Sequence, residues 1–314
     1  MIDQPPAHVA SELRGLRARL DATLPRKMLD RNLIIGTWRW EMFDAVNETW
    51  VADRDERPAR DLRAIRCLAE IVGHFDVIAL QGLMGDARGL RLVMEALGDY
   101  WALMITALSR ESTYNERTAF IFDTRKVLPR GLAGQVVLRD SESKASEKDH
   151  FLSRQFFRPP MFAGFRCLDR KFTLANVHLV FGDPDERLAE MRAFAAWLGE
   201  ISRKGYYWER NFIVLGQLQL MRSGTPLYEA FTAGGLHIPP DLVDVPTFPA
   251  GRPATMASSI AWFGEGSGSA ELGLEYLRGG VFDFLADGLP FGERYLSRHL
   301  PVWAEFSIRR GSPR

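Results

Sequence analysis

Leu13, Leu16, Leu20 and Leu24 recur at helical spacing among arginines over residues 8–30. This predicts an amphipathic helix leading into a first strand, Asn32–Trp38. Helical spacing returns over residues 60–73 through Leu62, Ile65, Leu68, Ile71 and Val72. A continuously apolar run at Asp76–Leu80 reads as a short strand, and Asp86–Leu97 is helical again through Leu90, Val93, Met94 and Leu97. From about residue 100 the period shortens. Ala119–Phe122, Gly134–Leu138, Met161–Phe165 and Phe172–Val177 are β-rich runs separated by turn or polar clusters. Asp183–Arg203 predicts the longest helix, with Asp183 as N-cap and Pro184 at the first helical position. Phe212–Leu215, Ile260–Phe263 and Val302–Ile308 complete the strands, while Asp140–Asp149 and Gly264–Ala270 read as loops.

No repeat recurs at a fixed period, and no linker divides a helical half from a strand half. The pattern predicts one α/β domain over residues 31–310, a sheet-on-sheet core with helices outside, preceded by a helical extension over residues 1–30. Composition agrees: 46% hydrophobic residues, with eight Trp and 20 Phe in 314 residues, can fill a large core. Forty basic and forty acidic residues cancel, so binding to a polyanion has to come from a local patch. The arginine-rich stretch 52–66 (Arg54, Arg57, Arg60, Arg63 and Arg66) is interleaved with acids and reads as a solvated helix face. Cys67 and Cys167 sit in apolar stretches and are expected to be reduced, buried thiols. No basic segment followed by an apolar run opens the chain, and no apolar run approaches about 18 residues. The expectation is a soluble, cytoplasmic protein with no membrane partner.

Five segments carry the chemistry: Gly36-Thr37-Trp38-Arg39-Trp40, Ala79-Leu80-Gln81-Gly82-Leu83, Val177-His178-Leu179, Leu215-Gly216-Gln217-Leu218-Gln219 and Ser297-Arg298-His299-Leu300-Pro301. With Tyr114-Asn115-Glu116-Arg117, Phe157-Arg158-Pro159-Pro160 and Asn176 before Val177, their order resembles the endonuclease/exonuclease/phosphatase superfamily from about Leu33 to Phe306. The resemblance implies a four-layered α/β sandwich, two packed mixed β-sheets flanked by helices, with a site at the strand ends. It also implies phosphate-ester hydrolysis with Mg²⁺ or a similar hard cation, which needs oxygen ligands, mostly carboxylates.

Position by position, those ligands are replaced. The family's Asn after Thr-Trp matches Arg39, and its Glu after Gln matches Gly82. The Gly-Asp-Phe-Asn strand end matches Gly216-Gln217-Leu218-Gln219, the Asp before the penultimate strand matches Ser258, and the Asp of Ser-Asp-His matches Arg298. Four carboxylates are gone and two arginines have arrived, a swing of about six charges toward positive. Metal-dependent hydrolysis by the family mechanism is therefore expected to be lost, and no metal cofactor is expected; Mg²⁺ enters only if the protein is an active enzyme.

What matches the family is its phosphate-holding set. Tyr114, Glu116, Arg158, His178 and His299 fall on family positions, where the counterpart of Glu116 orients that of His178 and the Arg and Tyr counterparts grip phosphate. Arg39 and Arg298 could supply the charge a cation would bring, or could turn to solvent or pair with Glu41 and Asp283. Glu116, His178 and His299 could retain acid–base chemistry or persist as buried hydrogen-bonded partners. Gln217 and Gln219 could satisfy a strand end or contact a ligand. Trp38, Trp40, Trp50 and Trp262 could stack on bases or fill core. The leading expectation is a catalytically inactive pseudoenzyme binding a phosphate-bearing ligand (nucleic acid or a nucleotide) or a protein partner through the former active-site face. One alternative is an active phosphodiesterase with an atypical or metal-independent site. Another is a purely structural subunit with an occluded pocket.

Overall fold

Strand β1 (Asn32–Phe43) shows how the layers are built, because its apolar residues serve two cores. Leu33 and Ile35 enter one buried cluster, and Ile34, Trp38 and Trp40 enter another. Successive strand residues point to opposite faces, so a strand covered on both sides reads as continuous apolar sequence. The computed structural model describes residues 4–53, 58, 60–107, 116–136, 156, 158–179, 182–204, 211–250, 255–264, 272–286 and 296–308.

The remaining strands are β2 (Val77–Leu83), β3 (Trp101–Ile105), β4 (Arg117–Asp123), β5 (Leu128–Gln135), β6 (Met161–Cys167), β7 (Arg170–His178), β8 (Phe212–Met221), β9 (Leu236–His237), β10 (Met256–Phe263), β11 (Glu275–Val281) and β12 (Val302–Ser307). They form two six-stranded sheets, ordered β11-β12-β1-β2-β4-β3 and β5-β6-β7-β8-β10-β9. Both sheets are mixed: β1 runs parallel to β2 and β7 parallel to β8, and the other pairs are antiparallel. Helices α1 (Ala7–Thr23), α2 (Leu62–Gly73) and α3 (Arg88–Leu97) cover the first sheet. Helices α4 (Pro184–Arg203) and α5 (Pro226–Thr232) cover the second. The result is a four-layered α/β sandwich.

Helix starts follow their capping chemistry. Asp61 accepts from the Ala64 amide at the start of α2, and Asp183 accepts from Asp185 and Glu186 with Pro184 at the first turn of α4. Val9, Leu13, Leu16 and Leu20 of α1 are buried, the stripe that the leucine spacing predicts. Short elements escape pattern reading: β3, β9, β11 and α5 have no period long enough to detect. Strand β1 runs five residues past Trp38, because polar Arg39 and Glu41 interrupt the apolar run without ending the strand. The expected loop Asp140–Asp149 and most of Gly264–Ala270 lie outside the described residues.

One expectation is corrected. Arg60 and Arg63 are not on a solvated face. Arg60 donates to the carbonyls of Glu41, Met42 and Leu296, and its guanidinium is pushed down to about 10 by burial, against the nearby Glu41 and Asp44. Arg63 lies near Glu12 and Asp61. Apart from Asp61, these carbonyl and carboxylate partners are distant in sequence, so charge alternation alone could not place the arginines. Arg54 and Arg57 lie outside the described residues. Cys67 and Cys167 are free, buried thiols, both raised by burial, Cys167 to about 12.

The two ends of the first sheet differ. At the end where β1 and β2 begin, Asp76 is fully buried and accepts from the Ile34 amide and from Lys126 Nζ at 2.7 Å each. Burial alone would raise the neighbouring Asp123 carboxyl, but Arg125 and Lys27 hold it down at about 2. This charged network closes that end. The opposite end, where β1, β2 and β7 finish, carries the chemistry-bearing segments.

Candidate functional site

Strand parity gathers the site. Leu33 and Ile35 face the second sheet, so Arg39, in phase with them and before the register shift that follows it, lies on the same face toward the far end of β1. Gln81 pairs with Arg39 in the β1–β2 register, and Gln217 pairs with both His178 and Ser258 in the second sheet. The polar positions of five strands thus meet between the sheets at one end.

Asn176 and Gln81 brace the floor. Gln81 Nε2 donates to Thr37 Oγ1 (3.0 Å) and to Asn176 Oδ1 (2.9 Å) across the sheets. Asn176 Nδ2 donates to the carbonyls of Leu80 and Ala119, beside the irregularity where the β2–β4 register shifts. Pattern reading did not assign this brace. Its signal is a polar residue at an inward position of an otherwise apolar strand.

Glu116 is the hub. Its Oε2 lies 3.2 Å from His178 Nδ1 and 3.2 Å from Arg158 Nε, and its Oε1 lies 3.6 Å from Arg39. Arg158 also reaches the Leu179 carbonyl (3.3 Å). Arg39 Nε is buried and makes no hydrogen bond among the described residues. Gln217 Oε1 accepts from Ser258 Oγ (2.9 Å), and Gln217 Nε2 has no hydrogen-bond partner among the described residues. Gln219 is buried in a left-handed conformation, φ 55°.

Arg298 lies elsewhere. Its Nε and one terminal nitrogen clasp the two carboxylate oxygens of Glu41. The same segment is tied to β1 by Ser297 Oγ, which donates to the Arg39 carbonyl (2.6 Å) and accepts from the His299 amide (2.9 Å). The His299 carbonyl accepts from Trp38 Nε1 (2.7 Å), and its ring packs on Phe248 at 4.6 Å. The structure therefore brings Arg39, Glu116, Arg158 and His178 together and pairs Arg298 with Glu41. Tyr114 lies outside the described residues. Trp38 and Trp40 are buried in a T-shaped pair, and Trp262 packs on Tyr276 and Phe306, so these rings fill core; Trp50 packs at its edge.

Burial, with Arg39, Arg158 and His299 nearby, drives the His178 pKa well below its ordinary value. Glu116 does not reverse this, because Arg39 and Arg158 already meet its charge. His178 is then neutral, with its Nδ1 3.2 Å from Glu116 Oε2 but no hydrogen bond formed between them. The unfolded chain takes up this proton near pH 6.5 and the folded chain does so only at lower pH. Stability from this site is therefore full above about pH 6.5 and falls below it by about 1.4 kcal/mol per pH unit until the folded pKa is reached. Urea titrations from pH 7.5 to 5 should show the loss in wild type. His178→Gln should lose less over the same window; parallel curves would refute a neutral buried His178.

The family's cation does not fit the donors present. Glu116, the carboxylate at the hub, is engaged by two guanidiniums and an imidazole. Gly82, Gln217, Gln219 and Ser258 offer no charge, Arg39 repels a cation, and Arg298 is taken up by Glu41. Among the described residues no three His, Cys, Asp or Glu side chains form a group able to hold a metal ion.

No protein-family model matches the sequence, and no curated protein does. Solved structures do match. An endonuclease/exonuclease/phosphatase family protein from Bacteroides thetaiotaomicron gives TM-score 0.59 at 16% identity, covering 88% of this chain and 95% of its own. A mannosyl-6-phosphatase of the same organism gives 0.58 at 16%, covering 87% and 99%. ANGEL2, a 2′,3′-cyclic phosphatase, gives 0.57 at 15%, covering 91% and 100%. At these identities the likeness is one of fold.

Proposed function

From the premise that this chain has the endonuclease/exonuclease/phosphatase fold, we propose that it is a phosphate-binding protein whose pocket has exchanged metal ligands for guanidiniums. The observation that carries this reading is the convergence of Arg39 and Arg158 on buried Glu116 beside neutral His178. Arginine forks recognise phosphate oxygens in bidentate geometry, and a water-poor site strengthens each such contact. Arg39 Nε and Gln217 Nε2 supply donors with no hydrogen bond of their own among the described residues. The ligand class is a nucleotide or another phosphate-bearing molecule, and the protein holds it rather than hydrolysing it. No helix among the described residues is long and apolar enough to cross a membrane.

Calorimetric titration with a nucleotide, and separately with Mg²⁺, tests this. Nucleotide binding is expected without Mg²⁺ binding. Arg39→Ala should weaken it by about 10- to 100-fold, the worth of a charge-assisted contact. Mg²⁺-dependent cleavage by pure protein, abolished in His178→Ala, would overturn the reading.

A second reading keeps catalysis without metal. A neutral imidazole keeps one acceptor nitrogen; His178 lies 3.2 Å from Glu116, and His299 lies near enough to influence its titration. Turnover of a phosphodiester that persists in excess chelator would favour it.

A further inference from the structure

Beyond Glu116 the cleft between the sheets continues toward the flank where both sheets end, at edge strands β3 and β5. Glu116, just before β4, and Thr118 and Phe120 within it alternate on the inner face. The Thr106 amide donates to the Thr118 carbonyl (3.0 Å) and extends that face onto β3. In the second sheet Asn176, two residues before His178, pairs with Met161, and Met161 pairs with Gln135 of β5. Two residues along a strand and one strand across amount to about 8 Å. Thr106 stands that far from Glu116, and Met161 that far from His178.

At this flank a groove of about 380 Å³ opens, lined by Met104, Ile105, Thr106, Ala133, Gln135 and Met161 among others. Its size is that of a small-molecule site, and none of its described lining residues carries a charge. The groove therefore suits a neutral group and not a second phosphate. Met104 comes from the first sheet and Met161 from the second, and thioether sulfurs pack favourably against aromatic rings. The Thr106–Thr118 and Thr124–Tyr100 backbone bonds show that even-numbered residues of β3 bond to β4. The N–H and C=O of Ile105 thus turn to the open edge. A donor and an acceptor side by side match the edge of a flat heterocycle, whereas an alkyl chain would cover both without bonding either. Between the hub and the groove, Thr118 is 8% exposed, and its Oγ1 has no hydrogen-bond partner among the described residues.

We infer that this groove is the base site of a nucleotide whose phosphate is held by Arg39 and Arg158, with the Thr118 hydroxyl bonded to the sugar between them. The inference rests on the reading of the hub as a phosphate site. One ribose bridges phosphate and base over the separation between hub and groove, so a single mononucleotide fills both. The ligand class narrows from any phosphate-bearing molecule to a nucleotide. Its base is recognised by packing and by the strand edge, without a charged side chain.

AMP and ribose 5-phosphate test this, because they share phosphate and sugar and differ by the base. Titrated calorimetrically into wild-type protein, AMP is expected to bind about ten- to hundredfold more tightly. Met104→Ala removes part of one wall, and Ala133→Leu fills the groove from an exposed position outside the core. Each should weaken AMP by about three- to tenfold and leave ribose 5-phosphate unchanged. Equal binding of the two compounds by wild type, or a preference for AMP unchanged in both variants, would overturn the inference and leave the phosphate reading standing. Failure of wild type to bind either compound would overturn the phosphate reading itself.

Discussion

Glu116→Ala is expected to destabilise the protein by about 3–5 kcal/mol, the range for removing one member of a buried charged set. The carboxylate is the shared counter-charge of Arg39 and Arg158 and the acceptor facing His178 Nδ1, all on the inner face of the sheets. Its removal leaves two guanidiniums in low-dielectric surroundings with one fewer negative charge. The same change also creates a better anion site. Sulfate or phosphate should therefore stabilise Glu116→Ala more than wild type, by as much as about 2.7 kcal/mol at a hundredfold excess over the dissociation constant. Urea unfolding of both proteins, with and without sulfate, measures the two effects together. A large loss of stability that sulfate does not reverse would mean the guanidiniums cannot be reached by an external anion. That result would count against phosphate binding.

Gly82→Glu should fail to restore a cation site and should cost about 2–5 kcal/mol, from left-handed backbone strain and overpacking combined. Gly82 lies at φ 79°, and a Cβ there would sit 2.7 Å from the Trp40 carbonyl oxygen. The β1–β2 register shifts beside it, between Arg39 and Phe43, and the β2–β4 register shifts between Leu80 and Leu83. The strand geometry at this position thus excludes any side chain, a carboxylate included. Denaturant unfolding and Mg²⁺ calorimetry on the variant check both parts. A variant as stable as wild type that binds Mg²⁺ would show that the backbone can accept the ligand.

How much was legible differs between fold and site. The leucine stripe of α1, the capped start of α4 and the apolar strands were readable because each is a local pattern: a side chain at i meets its own neighbours at i+3, i+4 or i+2. The strand β11 was not readable. It is an edge strand, partly exposed, with Gly279 and Gly280 close to Trp303, so no buried face marks it. Arg60 illustrates a further limit. Its neighbours in sequence are charged, yet its partners are carbonyls from β1 and from Leu296, more than two hundred residues away.

At the site, residue identities alone carried the expectation of a change in charge: arginine, glycine, glutamine and serine stand where the resemblance calls for metal ligands. They also named Glu116, Arg158 and His178 as a set. Where each guanidinium points was decided only by tertiary structure. Arg39 and Arg298 are alike as side chains, and nothing local separates them. Arg39 lies on the inner face of β1 opposite buried Glu116, whereas Arg298 is the exposed residue of an otherwise buried segment and pairs with Glu41. An ion pair forms between charges that folding brings within a few ångströms, and that distance depends on the register of two sheets rather than on the order of residues in the chain.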